Sequence, residues 1–451
     1  MVLKSDFYLI EETVTISRSE YEGLLALISE LREEIRQLKN GRNSNTSHTP
    51  PSQDFGRSNL KNSRVITGRK TGGQTGHKGS TLDFKKDPDE TISYIPNYCH
   101  DCGFDLKDVD YSFHERKQEV VIPTVSVKYI EHQSFSVSCV NCGCQNIGEL
   151  PVNLTAPIQY GTSVSAVITY LSVYQYIPYN RIKKLMNDLF QLPISEGTIK
   201  NVLTKMTKHA LPMYEEIQQR IAQSNIVGAD ETGTKINGKK AWFHVWQNNT
   251  LTFIVSSMNR GYATVETWFE KGFDNAIYVS DCWSAQLKVP AQKHQLCLAH
   301  LLRELKNFED SFNCKWSLKL KLLFQKAIEI KKEPDRLEKK MSIITIESEF
   351  DELLNIDLDS LHKKQKAFVK RLLKNRDSVF VFLYHEHVPF DNNGSERAIR
   401  NVKVKNKISG SFRSQQGAYN FSVLRSVIDT TIKNSRDVFS AINLVAKFRP
   451  E

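Results

Sequence analysis

The chain has 451 residues, 40% of them apolar, enough for two or three domains with sizeable cores. Its formal net charge of +10 and pI near 9.0 favour a polyanionic partner. The most apolar long stretch, residues 164–179, is broken by Ser, Gln and Pro and is too short for a bilayer, and residues 1–12 lack the apolar segment of a signal peptide, so a cytoplasmic protein without membrane contact is expected.

Ser17 and Glu20 have the spacing of a capping box, and beyond them Tyr21, Leu24, Ile28, Leu31, Ile35 and Leu38 alternate steps of three and four. Residues 1–40 are therefore expected to form a coiled-coil helix joining two copies, the rival being an amphipathic helix packed on its own chain. From residue 40 to 79 the composition turns to Ser, Asn, Thr, Gly and Pro with scattered cations, among them Arg69, Lys70, His77 and Lys78. Such a segment cannot bury enough apolar surface to fold alone. Residues 41–90 read as a basic flexible linker, either solvated or ordered along a DNA backbone.

Eight cysteines in a reducing compartment point to metal binding or core packing rather than disulfides. Within residues 91–150, Cys99-x-x-Cys102-Gly103 and Cys139-x-x-Cys142-Gly143 offer four thiolates to one tetrahedral structural zinc, each Gly letting the backbone turn toward the sulfurs. Segments 119–122 and 125–137 would be the strands of this zinc ribbon, and Cys144 is a spare thiol that could replace Cys142. Residues 151–220 read as helices. Residues 181–190, a turn over 191–194 and Ser195 as the next N-cap have the form of a helix-turn-helix DNA reader, or equally of a structural hairpin.

The run 226–230 ends at Asp230, and two alternating segments follow at 242–247 and 251–256, with Asn237-Gly238 and Asn248-Asn249 as the turns between. After a helix near 263–271, the run 276–280 ends at Asp281 in the same manner. A lone Asp at a strand end more often opens a turn. Two on adjoining strands would share a hard divalent cation. Glu231 should point to the opposite face from Asp230 and be dispensable.

Residues 301–383 are helical in pattern and too long for an ordinary connection, so an insertion at about 305–388 is expected. Cys297 and His300 open it, two ligand types without a partner pair. A third acid, Glu396, follows Asn393 at the spacing of a capping box, which would by itself account for the glutamate. Arg397, Arg400, Lys403, Lys405 and Lys407 come next, cations for phosphates or a solvated helix face. Residues 436–451 read as a C-terminal tail.

The motifs Asp230-Glu231-Thr232-Gly233, Asp281-Cys282-Trp283, residues 297–305 (CLAHLLREL), and Asn392-Asn393-Gly394-Ser395-Glu396-Arg397 running into residues 403–410 (KVKNKISG) resemble those of DDE transposases of the insertion-sequence sixty-six family. Asn43-Ser44-Asn45, Pro50-Pro51-Ser52 and residues 72–79 (GGQTGHKG) match in order as well, so the resemblance covers nearly the whole chain. It implies a multidomain α/β protein whose residues 221–435 hold a ribonuclease-H-like catalytic core interrupted by the helical insertion. The implied activity is transposition of a bacterial mobile element, with Asp230, Asp281 and Glu396 as catalytic ligands of two magnesium ions. The implied partners are double-stranded DNA at the element's ends and target, further copies of the chain, and accessory proteins of the same element, in the nucleoid. Rival readings are a structure-specific nuclease on the same core, which cuts without joining, and a zinc-ribbon DNA-binding regulator whose acids are structural.

Overall fold

The computed structural model describes residues 17–39, 76, 82–123, 125–312, 314–334 and 337–448, so Arg69, Lys70, His77 and Lys78 of the basic linker lie outside the described residues. The chain divides into two compact units, residues 57–127 and the remainder, and the boundary at residue 127 falls inside the span expected to be a zinc ribbon.

The smaller unit has no apolar core: none of its described residues is buried, and Phe84, Ile92, Tyr94, Phe104 and Tyr111 are exposed. Its order is local. The Cys99 N–H donates to the Phe104 carbonyl at 2.8 Å and the Gly103 N–H to the Cys99 carbonyl at 2.9 Å, with Gly103 at φ +73°, where a side chain would be strained. Residues 119–122, expected as a strand, pair with nothing among the described residues.

The larger unit begins with α1 (Arg18–Lys39), which opens on the expected capping box: the Glu20 N–H donates to Ser17 Oγ at 3.2 Å and the Ser17 N–H to Glu20 Oε2 at 2.9 Å. A short antiparallel pair, β1 (Ser136–Ser138) and β2 (Gln145–Ile147), carries the second cysteine turn, so only the end of the expected 125–137 strand is one. That turn repeats the first: Cys139 N–H to the Cys144 carbonyl at 2.8 Å, Gly143 N–H to the Cys139 carbonyl at 2.8 Å, and Gly143 at φ +74°.

Helices α2 (Thr162–Thr169), α3 (Tyr179–Phe190) and α4 (Glu196–Ala222) follow. Gln191 turns the chain at φ 51°, and Ser195 Oγ accepts from the Thr198 N–H at 3.0 Å, the N-cap read from the sequence. Next comes a meander of β3 (Ile226–Ile236), β4 (Lys239–Gln247) and β5 (Thr252–Ser257). Asn237 at φ 50° and Gly238 at φ 73° make its first, two-residue turn. At the second, Asn248 Oδ1 accepts from the N–H groups of Thr250 and Leu251 at 2.9 and 2.7 Å. After α5 (Tyr262–Trp268), β6 (Phe273–Ser280) and β7 (Ala291–Leu296) complete a five-stranded sheet of order β5-β4-β3-β6-β7, in which β4 alone runs against the others. Asp230 does not end its strand, as the apolar run suggested. Pairing with β4 carries β3 on through Ile236↔Lys239, because Thr232, Thr234 and Ile236 keep burying alternate positions.

Helices α6 (Leu298–Phe312), α7 (Lys315–Lys331), α8 (Leu337–Leu354), α9 (Lys363–Lys374) and α10 (Val381–Tyr384) form the expected helical region. Leu301, Leu305, Phe324, Phe350 and Phe368 share one core with Val279 and Leu296, so these helices are packed onto the β6–β7 edge. The chain returns through α11 (Asn393–Ser409) and α12 (Gln415–Lys433), and ends its described part in α13 (Val438–Lys447). The last replaces the expected tail: Val438, Ile442 and Val445 are buried at helical spacing. No helix among the described residues is long and apolar enough to cross a membrane.

Candidate active site

The sheet register brings the two aspartates together. Ile226 pairs with Ile277, Val227 with Tyr278 and Gly228 with Val279. Carried two residues further, the same offset sets Asp230 against Asp281 across strands about 4.8 Å apart. Asp230 is buried, and burial, then the charges of Glu231 and Asp281, push its carboxyl well above the usual range. Its Oδ1 accepts from the Glu231 N–H at 2.8 Å, and Asp281 Oδ1 accepts from the Trp283 N–H at 3.0 Å.

Glu396 arrives from the first turn of α11, and its charge also bears on Asp230. The capping box that would have explained it is not formed. The N-cap is Asn392, the Asn393 N–H donates instead to Asp391 Oδ1 at 3.1 Å, and the Glu396 carboxylate turns toward α6. There Arg303 Nη1 and Nη2 donate to Oε1 and Oε2 at 3.0 and 3.2 Å, and His300 Nδ1 lies 3.8 Å from Oε1. Burial would raise the Glu396 carboxyl, but the Arg303 hydrogen bonds, then the charges of Arg303, His300 and Lys403, outweigh it and hold the group below the usual carboxylate range.

Asn392 locks this helix start to the sheet. Its Nδ2 donates to the Ala229 carbonyl at 2.6 Å, its N–H to Cys297 Sγ at 3.2 Å, and its Oδ1 accepts from Ser395 Oγ at 2.7 Å. The approach is close at Gly228, where a Cβ would stand 2.9 Å from Asn392 Oδ1 and 3.0 Å from Ser395 Oγ, both already held in hydrogen bonds.

Four of the five basic residues of α11 lie on its exposed side. Arg397, Arg400, Lys403 and Lys407 are exposed, and Arg400, Lys403 and Lys407 continue the stripe begun by Glu396 at steps of four, three and four. Lys405 does not belong with them. It lies three residues beyond Val402 on the buried stripe, donates to the Ser172 carbonyl at 3.3 Å, and has its ammonium pulled down to about 8 by burial.

Glu231 alternates away from Asp230 as expected, but it is no bystander. It is 1% exposed, its Oε1 accepts from Arg260 Nε and Nη2 at 3.2 and 2.9 Å, and its Oε2 accepts from Gln286 Nε2 at 2.8 Å. Gln286 accepts in turn from the Tyr278 hydroxyl at 2.7 Å, and the Arg260 guanidinium stacks 4.1 Å from the Trp283 ring centre. The network therefore braces the loop that follows Asp281. Burial, then the Asp281 charge, raises the Glu231 carboxyl.

At the cysteine turns, the N–H groups of Cys102 and Asp101 hold the Cys99 thiol below its usual range, and those of Cys142 and Asn141 do the same for Cys139. Arg303, Asn392, Arg260 and Gln286 were not read as site residues. The one available signal was the i, i+3 spacing of His300 and Arg303 on α6.

Residues 157–420 match the family model described as Transposase IS66 family, a span that takes in the whole five-stranded sheet and α11. No curated protein matches the chain.

Proposed function

Because the chain belongs to the IS66 family of transposases, we propose that it binds the ends of a mobile DNA element and cuts and rejoins DNA strands at a site built on Asp230, Asp281 and Glu396. The sheet order supports a ribonuclease-H-like core: a three-stranded meander, its first strand central, extended by two parallel strands, with the acids on the first strand, just past the fourth and on a later helix. The observation that carries the reading is the strand register that sets Asp230 against Asp281, with Glu396 close enough for its charge to bear on Asp230.

The donor set fits magnesium, which takes carboxylate oxygens and keeps several waters. Bound there as a pair, it supplies Lewis acidity to the attacking and departing oxygens of an in-line displacement at phosphorus. The chain's own residues do the rest. Asp230 and Asp281 present oxygens from adjacent strands, Arg303 orients Glu396, and Arg397, Arg400, Lys403 and Lys407 hold DNA phosphates beside the third carboxylate. Each cysteine turn would offer two thiolates to structural zinc, Cys99 and Cys102 in one and Cys139 and Cys142 in the other, and the backbone bonds that lower one thiol in each suit that ion.

Two copies would pair through α1, whose Tyr21, Leu24, Ile28 and Leu31 are 43–55% exposed. Light scattering on the chain lacking residues 1–40 should give fewer copies per particle than the full chain, and an unchanged number of copies would remove that role. The α3–α4 pair is the element assigned to reading DNA.

The central test is magnesium-dependent nicking and joining of DNA carrying the element's end. Glu396→Gln should fold normally and lose about 100-fold or more in nicking, at about 1.4 kcal/mol per tenfold. Full nicking by Glu396→Gln would remove that residue from the site, cutting without joining would leave a nuclease, and loss of cutting in Asp281→Asn separates both enzymes from a regulator, which binds DNA without cutting it.

A further inference from the structure

Beside the carboxylates stands a second donor set of different chemistry. Cys297 ends the β7 segment, His300 lies in the first turn of α6, and Glu396 in the first turn of α11. One ligand atom from each, the Cys297 sulfur, a His300 ring nitrogen and a Glu396 oxygen, all fall within 4.8 Å of one another. Tetrahedral bonds of about 2.0 to 2.3 Å would need such atoms roughly 3.3 to 3.8 Å apart, a closure that side-chain rotation supplies.

Two further observations single the cluster out. His300 Nδ1 is sealed from solvent and makes no hydrogen bond among the described residues, although it lies 3.8 Å from Glu396 Oε1. A buried ring nitrogen left in this way calls for a missing partner. Cys297 is fully buried, and its sulfur already accepts the Asn392 N–H at 3.2 Å, the kind of outer bond that supports a thiolate ligand.

We propose that Cys297, His300 and Glu396 form a site for a borderline-soft divalent cation, zinc being its representative, separate in chemistry from the magnesium positions but sharing Glu396 with them. Thiolate and imidazole select such an ion and reject magnesium, which binds oxygen. Three protein ligands leave a fourth position for water. Occupancy releases the Cys297 proton and leaves Glu396 one oxygen for Arg303. Zinc there would withdraw Glu396 from the hard-ion site and restrain cutting, a consequence that rests on the role given to Glu396 above, whereas the binding does not.

The test uses the full chain, stripped with chelator and titrated with cobalt(II) under reducing conditions while thiolate-to-metal absorption is followed. The wild type should take up one equivalent more than His300→Ala or Cys297→Ser, and Cys99→Ser should keep that equivalent while losing the thiolate signal of its own turn. Equal uptake by wild type and a folded His300→Ala would overturn the proposal and leave a water between His300 and Glu396. Because Cys297 is buried and its serine variant can unfold for unrelated reasons, the partly exposed His300 decides, with melting as the folding control. If the extra equivalent is lost while Asp281→Asn nicks like wild type, the cation site stands and the catalytic reading falls. Equal uptake with an inert Asp281→Asn gives the reverse.

Discussion

The side-chain amide of Asn392 donates at 2.6 Å to the Ala229 carbonyl, which belongs to the same peptide group as the Asp230 nitrogen. The helix bearing Glu396 is thereby tied to the backbone bearing Asp230. Asn392→Ala removes the donor and should cost about 1–3 kcal/mol, the range for a buried partner left unmet. Asn392→Asp should be worse despite its closer shape, because it turns a carboxylate toward a carbonyl beside Asp230. Thermal melting ranks the three proteins, and an aspartate variant as stable as wild type would discount the tie.

Asp230 makes the metal-free protein sensitive to alkali. A carboxyl whose folded pKa is raised binds its proton more tightly folded than unfolded. Its contribution is complete below the unfolded value of about 4 and is lost as pH rises through the folded one. In chelator, Asp230→Asn should therefore melt above wild type at pH 8, with the gap closing toward pH 4, while nicking in magnesium is abolished. A lower melting temperature for the variant at pH 8 would contradict the crowding of charge.

Glu231→Gln should separate stability from chemistry. Arg260 loses the charge that it now meets through two hydrogen bonds, and breaking a buried pair from one side costs about 3–5 kcal/mol, here about 2–3 because Arg260 is a third exposed. Nicking below the melting transition should fall far less than in Asp281→Asn. An unchanged melting temperature would show that the brace on the Trp283 loop carries little energy.

Removing zinc should unfold residues 57–127 first. With no buried residue among those described there, metal binding would be the main source of folding free energy for that unit. Metal analysis should find zinc that Cys99→Ser loses, and chelator should expose residues 82–123 to protease before the five-stranded sheet. A zinc-free chain with wild-type protease resistance over 82–123 would sink the assignment.

The sequence announced what depends on near neighbours. Asn237-Gly238 and Asn248-Asn249 specify their turns through local backbone chemistry, and the alternation over 242–247 and 251–256 gives both strands. It also raised the three acids. Partners distant along the chain stayed hidden: Arg303 meets Glu396 from 93 positions away, and a capping-box spacing satisfied by composition went unused because that stronger partner was within reach. Lys405 was misread for a similar reason. A basic run says nothing of helix phase until the buried stripe through Ala398 and Val402 is known.

The order in which the acids occur along the chain has a consequence for synthesis. Asp230 resides in the sheet and Asp281 directly follows β6, but Glu396 lies on α11, after the helices α6 to α10. A ribosome therefore makes both aspartates, the sheet and those helices before it makes the third carboxylate. On the reading proposed here, a nascent or prematurely terminated chain lacks the third carboxylate and is harmless to the chromosome, and competence to cut is the late product of a completed polypeptide.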